Sequence, residues 1–258
     1  MLPQDLFSSA LPLLPIALVV AIAAFAHGIM GIGFPLITTP CIALLTDLKT
    51  AVLITVLPNI LINILSILRG GNWRTTLAQH WPLAAYVLLG SLIGTQLLMG
   101  LPANPLKLAL ALMLLVSLNL NRLKTLDWAK LFCRRRLAEG AFGLTAGILS
   151  GTVNISVPPL AIYFMGLRLT PTATVQLFNL CFIVGKLTQA GTLAAHGQFS
   201  APILWQSGAL TVLGAICLIP GMALQARLEA ATYRRWLDRT LLLMALFMLA
   251  QVAYTWNT

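Results

Sequence analysis

One lysine stands inside an apolar segment that is long enough to cross a membrane. Lys186 follows Thr172 by fourteen residues, and the segment continues to Ala195. A charge at that depth is costly and normally faces the interior of a helix bundle beside a partner. No acidic residue of the sequence lies in the middle of an apolar segment, so a bound anion or helix carbonyl groups must be that partner. The alternative is that the side chain extends to the nearer membrane surface.

Other polar residues share a helix face with this lysine. Gln176, Asn179 and Lys186 are separated by three and by seven residues, a spacing that places them on one face of a helix. An earlier apolar segment carries a comparable stripe, Thr55, Asn59, Asn63 and Ser66. Either stripe can contact a substrate, and either can instead bridge neighbouring helices. Because the two stripes lie in corresponding segments, they favour substrate contact.

Two stretches rich in glycine and proline interrupt apolar segments. The first is residues 28–40, and the second runs from Ser150 to Pro159. Inside a helix, glycine costs about 1 kcal/mol and proline about 3 kcal/mol relative to alanine. We therefore expect one helix to end and a short half-helix to begin at each stretch. Proline is favoured in the first turn of a helix, which places the two starts at Pro35 and, behind a Ser156 N-cap, near Pro158.

The start of a helix presents unpaired N–H groups and the positive end of the helix dipole, which favour an anion. We predict an anion site where the two half-helix starts face each other near the middle of the membrane. The candidate residues at the breaks are Gly31, Gly33, Phe34, Pro35, Gly151, Asn154, Ser156 and Pro158. His27, just before the first break, can bind an anion, carry protons near neutral pH or bridge helices. The predicted substrate-binding set is completed by Asn59, Asn63, Gln176, Asn179 and Lys186.

The composition is that of an integral membrane protein. The chain has 258 residues, of which 59% are hydrophobic and 9% are charged, and its mean hydropathy is +0.92. Its net charge of +10 comes from clusters between apolar segments, where cytoplasmic loops carry Lys and Arg, so nucleic acid is not an expected partner. No Lys or Arg precedes the first segment, so we expect no signal peptide. The four cysteines lack metal-binding spacing, and we expect neither a metal nor another cofactor.

The second half of the chain repeats the order of the first. We predict a first membrane repeat over residues 1–121, a basic cytoplasmic linker over 122–136 and a second membrane repeat over 137–258. Each repeat consists of a broken re-entrant helix followed by three transmembrane helices. Gly90 and Gly94 form a small-residue face for close helix contact. The predicted fold is therefore an all-α integral membrane protein built from two repeats.

The basic loops predict that these repeats are inverted. If the clusters between Arg69 and Arg74, between Arg122 and Arg136, and between Arg227 and Arg239 are cytoplasmic, both termini are periplasmic. Each repeat then crosses the membrane an odd number of times, so the two have opposite orientations. Inverted repeats with interrupted helices are typical of secondary transporters, whose substrate binds where the repeats meet.

These residues resemble a known family. The glycine-rich break before Phe34-Pro35-Leu36, its echo from Gly147 to Pro159 and the basic central loop are similar to the sulfite exporter TauE/SafE family, from about Leu13 to Tyr254. The resemblance implies a bacterial inner-membrane carrier of sulfur-containing anions such as sulfite, sulfoacetate or related organosulfonates. The chain departs from the family pattern where Phe34 follows Gly33 directly and where Asn154 and Ser156 replace glycines.

The main functional prediction is a transporter, most simply an exporter, that binds a small sulfur-containing anion and works by alternating access in a lipid bilayer. An anion channel would use the same residues. An intramembrane hydrolase would pair Ser150 or Ser156 with His27, although the sequence has no serine-hydrolase motif. A purely structural membrane subunit is a further alternative, and the sequence sets no oligomeric state.

Overall fold

A computed structural model describes residues 13–69, 73–120, 135–167, 169–225 and 230–257, and all their regular elements are helices. The helices of the first half are α1 Leu13–Met30, α2 Phe34–Leu45, α3 Leu48–Arg69, α4 Trp73–Gly100 and α5 Ala103–Leu118. Those of the second half are α6 Arg135–Val153, α7 Val157–Leu167, α8 Pro171–Ala195, α9 Ala201–Leu224 and α10 Ala230–Asn257. The predicted linker over 122–136 lies outside the described residues except for its last two positions.

Five of these helices have the length and apolar composition that crossing a membrane requires, namely α1, α3, α4, α8 and α9. Shorter apolar helices include α2, α5 and α7. The apolar segments of the sequence thus become helices, as predicted, although α4 begins earlier than expected. Its first turns, from Trp73, meet the spanning part at His80, where φ is −122° and ψ is 17°. Pro82 follows this kink, because a proline cannot continue the preceding hydrogen-bond ladder.

Both broken helices are present, and each break contains residues with left-handed backbone geometry. Gly31 and Gly33 have φ of 75° and 112° between α1 and α2, and Asn154 has φ of 65° between α6 and α7. Asparagine is among the few residues other than glycine that tolerate this region. The prediction that the second break begins at Ser150 is wrong, because α6 continues to Val153.

The bundle has two ends, which we name the Arg69 end and the Lys49 end after the last turn and the first turn of α3. Arg69 Nη2 donates to the Met222 carbonyl at 2.6 Å, so α9 also ends at the Arg69 end. Lys49 Nζ donates to the Met99 carbonyl at 3.0 Å, so α4 ends at the Lys49 end. The start of α8 shares a cavity with Arg69, so α8 runs from the Arg69 end to the Lys49 end.

Glycines bring two pairs of parallel helices into close contact. A Cβ added at Gly94 would lie 2.1 Å from the Ile148 carbonyl oxygen, and one at Gly147 would lie 2.3 Å from the Val87 carbonyl oxygen. Gly90 packs there too, which confirms the predicted small-residue face of α4. At the second crossing, a Cβ on Gly221 of α9 would lie 2.2 Å from the Phe25 carbonyl oxygen of α1. The helices α4 and α6 run toward the Lys49 end, whereas α1 and α9 run toward the Arg69 end. The two helix pairs are therefore antiparallel to each other.

We expect Gly94→Leu to destabilise the protein. The larger side chain has no space against α6, and overpacking of this kind costs about 1–3 kcal/mol, or roughly 2–12 °C in Tm for a chain of this size. Thermal unfolding in detergent measures the change. Gly208→Leu is the matched control, because a Cβ at Gly208 of α9 meets nothing within 4 Å. Equal Tm values for the two variants would contradict the assigned packing.

Candidate anion-binding site

A cavity of about 370 Å³ at the Arg69 end reaches the first break. It lies between the ends of α1, α3 and α9 and the start of α8. Its lining consists of Gly28, Met30, Gly31, Ser66, Arg69, Pro171, Thr172, Val175, Gln176, Met222 and Gln225. None of these side chains is acidic, whereas one is a guanidinium and four others carry a hydroxyl or an amide. This lining suits an anion better than a cation.

Arg69 supplies the positive charge of this cavity. Its side chain is exposed, and its bond to the Met222 carbonyl holds the guanidinium at the mouth. The sequence placed Arg69 in a basic loop and did not predict a binding role for it. Only the packing of α3 against α9 brings it near Gly31, and no sequence pattern indicates that contact.

His27 lies directly behind the cavity wall and is fully buried. Its Nδ1 accepts a hydrogen bond from the Phe34 backbone N–H at 3.2 Å. Its Nε2 lies 2.9 Å from Ser66 Oγ, and the Ser66 hydroxyl donates to the Ile62 carbonyl at 2.9 Å. A neutral ring has one donor nitrogen and one acceptor nitrogen, so this arrangement fixes the hydrogen on Nε2.

The start of α2 therefore has its N–H groups engaged within the protein. Phe34 donates to His27, Pro35 has no N–H, and Leu36 donates to the Gly33 carbonyl at 3.0 Å. Phe34 and Pro35 are buried. The sequence predicted that these groups face the anion directly, whereas the imidazole of His27 lies in front of them in this structure.

Asn179 ties α8 to the first break. Its Nδ2 donates to the Gly31 carbonyl at 2.8 Å and to the Val175 carbonyl at 2.8 Å. Gln176, one turn away, lines the cavity, and both side chains are buried. The predicted polar face of α8 is thus turned into the bundle.

The stripe on α3 is buried as well. Asn63 Nδ2 donates to the Asn59 carbonyl at 2.6 Å and to Asn59 Oδ1 at 2.5 Å. Asn59 Nδ2 and Asn63 Oδ1 have no hydrogen-bond partner among the described residues. Buried polar atoms are nearly always paired, so one donor and one acceptor in this stripe are exceptions to that rule. They do not line the cavity.

Lys186 lies at the second break and points into the bundle. It is 2% exposed, which excludes an extended position at the membrane surface. Nζ donates to the Ser150 carbonyl at 3.3 Å, to Asn154 Oδ1 and to Gln189 Oε1. An ammonium group has three donors, and all three are used. The partners of the charge are therefore a carbonyl at the end of α6 and two amides, with no donor left for a substrate.

Two further side chains complete the second break, and the sequence missed both. Gln189 Nε2 donates to the Gly151 carbonyl at 2.8 Å, and its spacing of three residues from Lys186 was the available signal. Thr39 of α2 accepts a hydrogen bond from Asn154 Nδ2 at 2.6 Å, which joins the two broken helices. Gly151 itself lies within α6, where a Cβ would meet the Ser91 carbonyl oxygen of α4 at 2.6 Å. Its backbone therefore packs against α4.

The start of α7 carries few N–H groups. The Ser156 carbonyl accepts from the Leu160 N–H at 3.4 Å, which makes Ser156 the residue before the helix. Of the first three helical residues, Pro158 and Pro159 have no N–H, so only Val157 has one. An anion would find fewer backbone donors here than the sequence interpretation assumed.

The two breaks lie at different depths. Along α8, the first break contacts Asn179 and the second contacts Lys186. These residues are seven positions apart, or about 10 Å at a rise of about 1.5 Å per residue. The prediction placed both half-helix starts at one depth in the membrane. In the structure the polar groups of the two breaks instead lie at two levels along α8.

A known protein family matches the sequence of this chain. A family model described as the sulfite exporter TauE/SafE matches residues 16–248, which is nearly the whole chain. No curated protein and no solved structure matches this chain. The matched region includes both broken helices, the cavity and the polar groups around Lys186. The chain therefore belongs to the sulfite exporter TauE/SafE family.

Proposed function

We propose that this chain is a secondary transporter that exports sulfite or a small organosulfonate anion, such as sulfoacetate, across the bacterial inner membrane by alternating access. The observation that carries the proposal is the cavity at the first break, with Arg69 at its mouth and no acidic side chain in its lining. Its volume of about 370 Å³ lies within the usual range for small-molecule sites. A guanidinium pairs well with oxyanions because its N–H groups bond two oxygens at once.

Two observations support alternating access. The cavity lies at the Arg69 end, whereas nearer the Lys49 end hydrogen bonds link Thr39, Asn154 and Lys186. These bonds join α2, the second break and α8, so they must rearrange before an anion can pass. A carrier keeps one side closed in every state, whereas an open channel does not.

The packing also supports the proposed inverted repeats. Exchanging the halves turns the α4–α6 crossing into the α9–α1 crossing, and these run in opposite directions. Gly31 and Asn154, both left-handed, are 123 residues apart, as are Pro35 and Pro158. Transport by rocking of two such repeats around shared helices would expose the polar levels of α8 to each side in turn.

The enzyme alternative loses its geometric basis. The ring nitrogens of His27 contact Ser66 Oγ and the Phe34 N–H, and neither Ser150 nor Ser156 is among their hydrogen-bond partners. Ser66 cannot take the nucleophile's place in this tautomer, because Nε2 already carries a hydrogen and cannot accept the hydroxyl proton.

Counterflow in proteoliposomes tests the proposal. Vesicles loaded with unlabelled sulfite or sulfoacetate should transiently accumulate the labelled anion, whereas a channel would only equilibrate it. We expect Arg69→Gln to raise the half-saturating concentration at least about tenfold, because hydrogen bonds to charged groups contribute about 1.5–3 kcal/mol.

Arg136→Gln is the matched control, since it removes an exposed arginine of α6 that does not line the cavity. It should leave the half-saturating concentration unchanged. Equal effects of the two substitutions would attribute the loss to overall charge and remove Arg69 from the site. Absence of counterflow in the wild type with every sulfur anion tested would refute the proposed transport.

A further inference from the structure

We propose that His27 carries one proton together with each anion, so that a monoanion and a proton cross the membrane as a neutral pair. This inference rests on the proposed anion transport and names its coupling ion. It is carried by the position of a buried imidazole between the cavity wall and the start of α2.

The hydrogen bonds of His27 leave one place for a proton. Nε2 already bears a hydrogen, and its neighbour Ser66 forms part of the cavity lining. Nδ1 accepts the Phe34 N–H. A proton added to Nδ1 makes it a donor, and two donors cannot bond each other. Protonation therefore frees the Phe34 N–H at the start of α2 and creates a second donor beside it.

The Asn179 side chain also contacts His27, and its Oδ1 is a single neutral acceptor, whereas an anion supplies charged acceptors for both donors. The imidazolium and the freed N–H lie together at the positive end of the α2 dipole, where a sulfonate or sulfite oxygen is favoured. Gly28 and Gly31 flank this position in the cavity wall, where Gly28 packs against the Leu218 carbonyl of α9 and Gly31 packs against the Val175 side chain of α8. The proton thus opens the anion site that the neutral ring otherwise covers.

The energetics link the two events. A buried imidazolium without a partner is strongly unfavourable, and so is an anion without a counter-charge. Together they form an ion pair of zero net charge, so each should raise the affinity for the other by the same factor. In the proposed cycle an N–H bond forms on Nδ1 with a proton from water in the cavity, and the same bond breaks when the pair is released. No bond within the anion changes.

Few other groups can take this role. The titratable or charged side chains on the described helices around His27 are Cys41 of α2, Lys49 and Arg69 of α3, Cys181 and Lys186 of α8, and Cys217 of α9. These helices contain no carboxylate. Only Arg69 shares the cavity, and a guanidinium does not release its proton. The donors of Lys186 are used at the second break, at the other polar level of α8.

The test uses isethionate, a sulfonate that does not itself bind a proton near neutral pH. Proteoliposomes at pH 7 contain a pH-sensitive dye, and valinomycin with potassium sets the membrane potential. For the wild type we expect about one proton to move with each isethionate, in the same direction. We also expect the initial flux to stay the same when the potential is changed.

His27→Gln should uncouple the two ions. The amide oxygen of Gln can accept the Phe34 N–H and its NH₂ can donate to Ser66, but the side chain does not titrate. We expect residual isethionate flux to proceed without proton movement and to respond to the potential. His196→Gln is the control, because His196 is exposed beyond α8, and it should retain wild-type coupling.

A second variant keeps the assignment testable if His27→Gln does not fold. Ser66→Ala preserves the titrating ring but removes its Nε2 partner, so the pH at which transport is half-maximal should shift. An unshifted midpoint would overturn the role of His27, as would proton movement retained by His27→Gln. Wild-type isethionate flux without proton movement would overturn the coupling alone. If the wild type transports no sulfonate and no sulfite, the proposed transport itself fails.

Discussion

Lys186→Met is expected to lower Tm by roughly 6–12 °C and to reduce transport more than tenfold. Methionine has a similar length but no donor, so Asn154 Oδ1 and Gln189 Oε1 lose their hydrogen-bond donor, and the Ser150 carbonyl keeps only Gln189 Nε2 at 3.5 Å. A buried acceptor without a partner costs about 1–3 kcal/mol. A total of about 3 kcal/mol corresponds to that range of Tm for a protein of this size. Thermal unfolding in detergent and counterflow measure the two effects.

Lys107→Met is the matched control for this result. Lys107 lies on α5, where Nζ is 3.4 Å from Gln251 Oε1 and is only partly buried. The same change there should leave both Tm and counterflow near wild type. The Tm and the counterflow of Lys186→Gln should lie between those of Lys186→Met and the wild type, because glutamine keeps two donors on a shorter side chain. Wild-type transport by Lys186→Met would remove Lys186 from the mechanism.

Asn154→Ala should be less stable than Asn154→Gly, which reverses the usual order for residues near a helix. Both variants lose the bonds to Thr39 and Lys186. Alanine must also adopt φ of 65°, and a left-handed residue costs roughly 1–2 kcal/mol when it carries a Cβ. Relative to the wild type, we expect Asn154→Ala to lose about 4 kcal/mol in total, because a bond to a charged group contributes more than a neutral one. Chemical or thermal unfolding gives the order.

Ala146→Gly provides the ordinary order for comparison. Ala146 is fully buried within α6, and glycine there should cost about 1 kcal/mol. Thr39→Val removes only the bond between the two broken helices and should weaken transport without the backbone penalty. If Asn154→Ala proved as stable as Asn154→Gly, the left-handed geometry at the second break would be refuted.

Much of the fold was accessible from the sequence, because membrane helices are specified by apolar length and by the few residues that interrupt them. The half-helix beginning beside Pro35 and the contact face of Gly90 and Gly94 were confirmed. The predicted start of the second break was wrong, because Gly151 was interpreted as a helix breaker. In a bilayer, glycine also serves close packing, and the sequence does not distinguish these two uses without knowledge of the neighbouring helix.

Less of the candidate site than of the fold could be predicted from the sequence. Helical periodicity predicted that Gln176, Asn179 and Lys186 share one helix face, and the structure buries all three. The cavity did not, since Arg69 and Met222 are brought together by packing between segments far apart in the chain. The tautomer of His27 depends on the Phe34 N–H, which is seven residues away along the chain but adjacent in space. The difference in depth between the breaks depends on where each helix ends against α8, and periodicity does not contain that distance.

The proline pair at the start of α7 has a consequence for kinetics. With Pro158 and Pro159 in its first turn, α7 has one N–H group among its first three residues, whereas α2 has two, one of which is freed by the proposed protonation of His27. Substrate should therefore be bound with unequal affinity from the two compartments. The half-saturating concentration should therefore differ between the two sides of the membrane and be lower on the side from which substrate reaches α2. Microscopic reversibility still requires the forward and backward fluxes to balance at equilibrium. Replacing both prolines with alanine should reduce the difference between the two half-saturating concentrations, measured in vesicles of defined orientation.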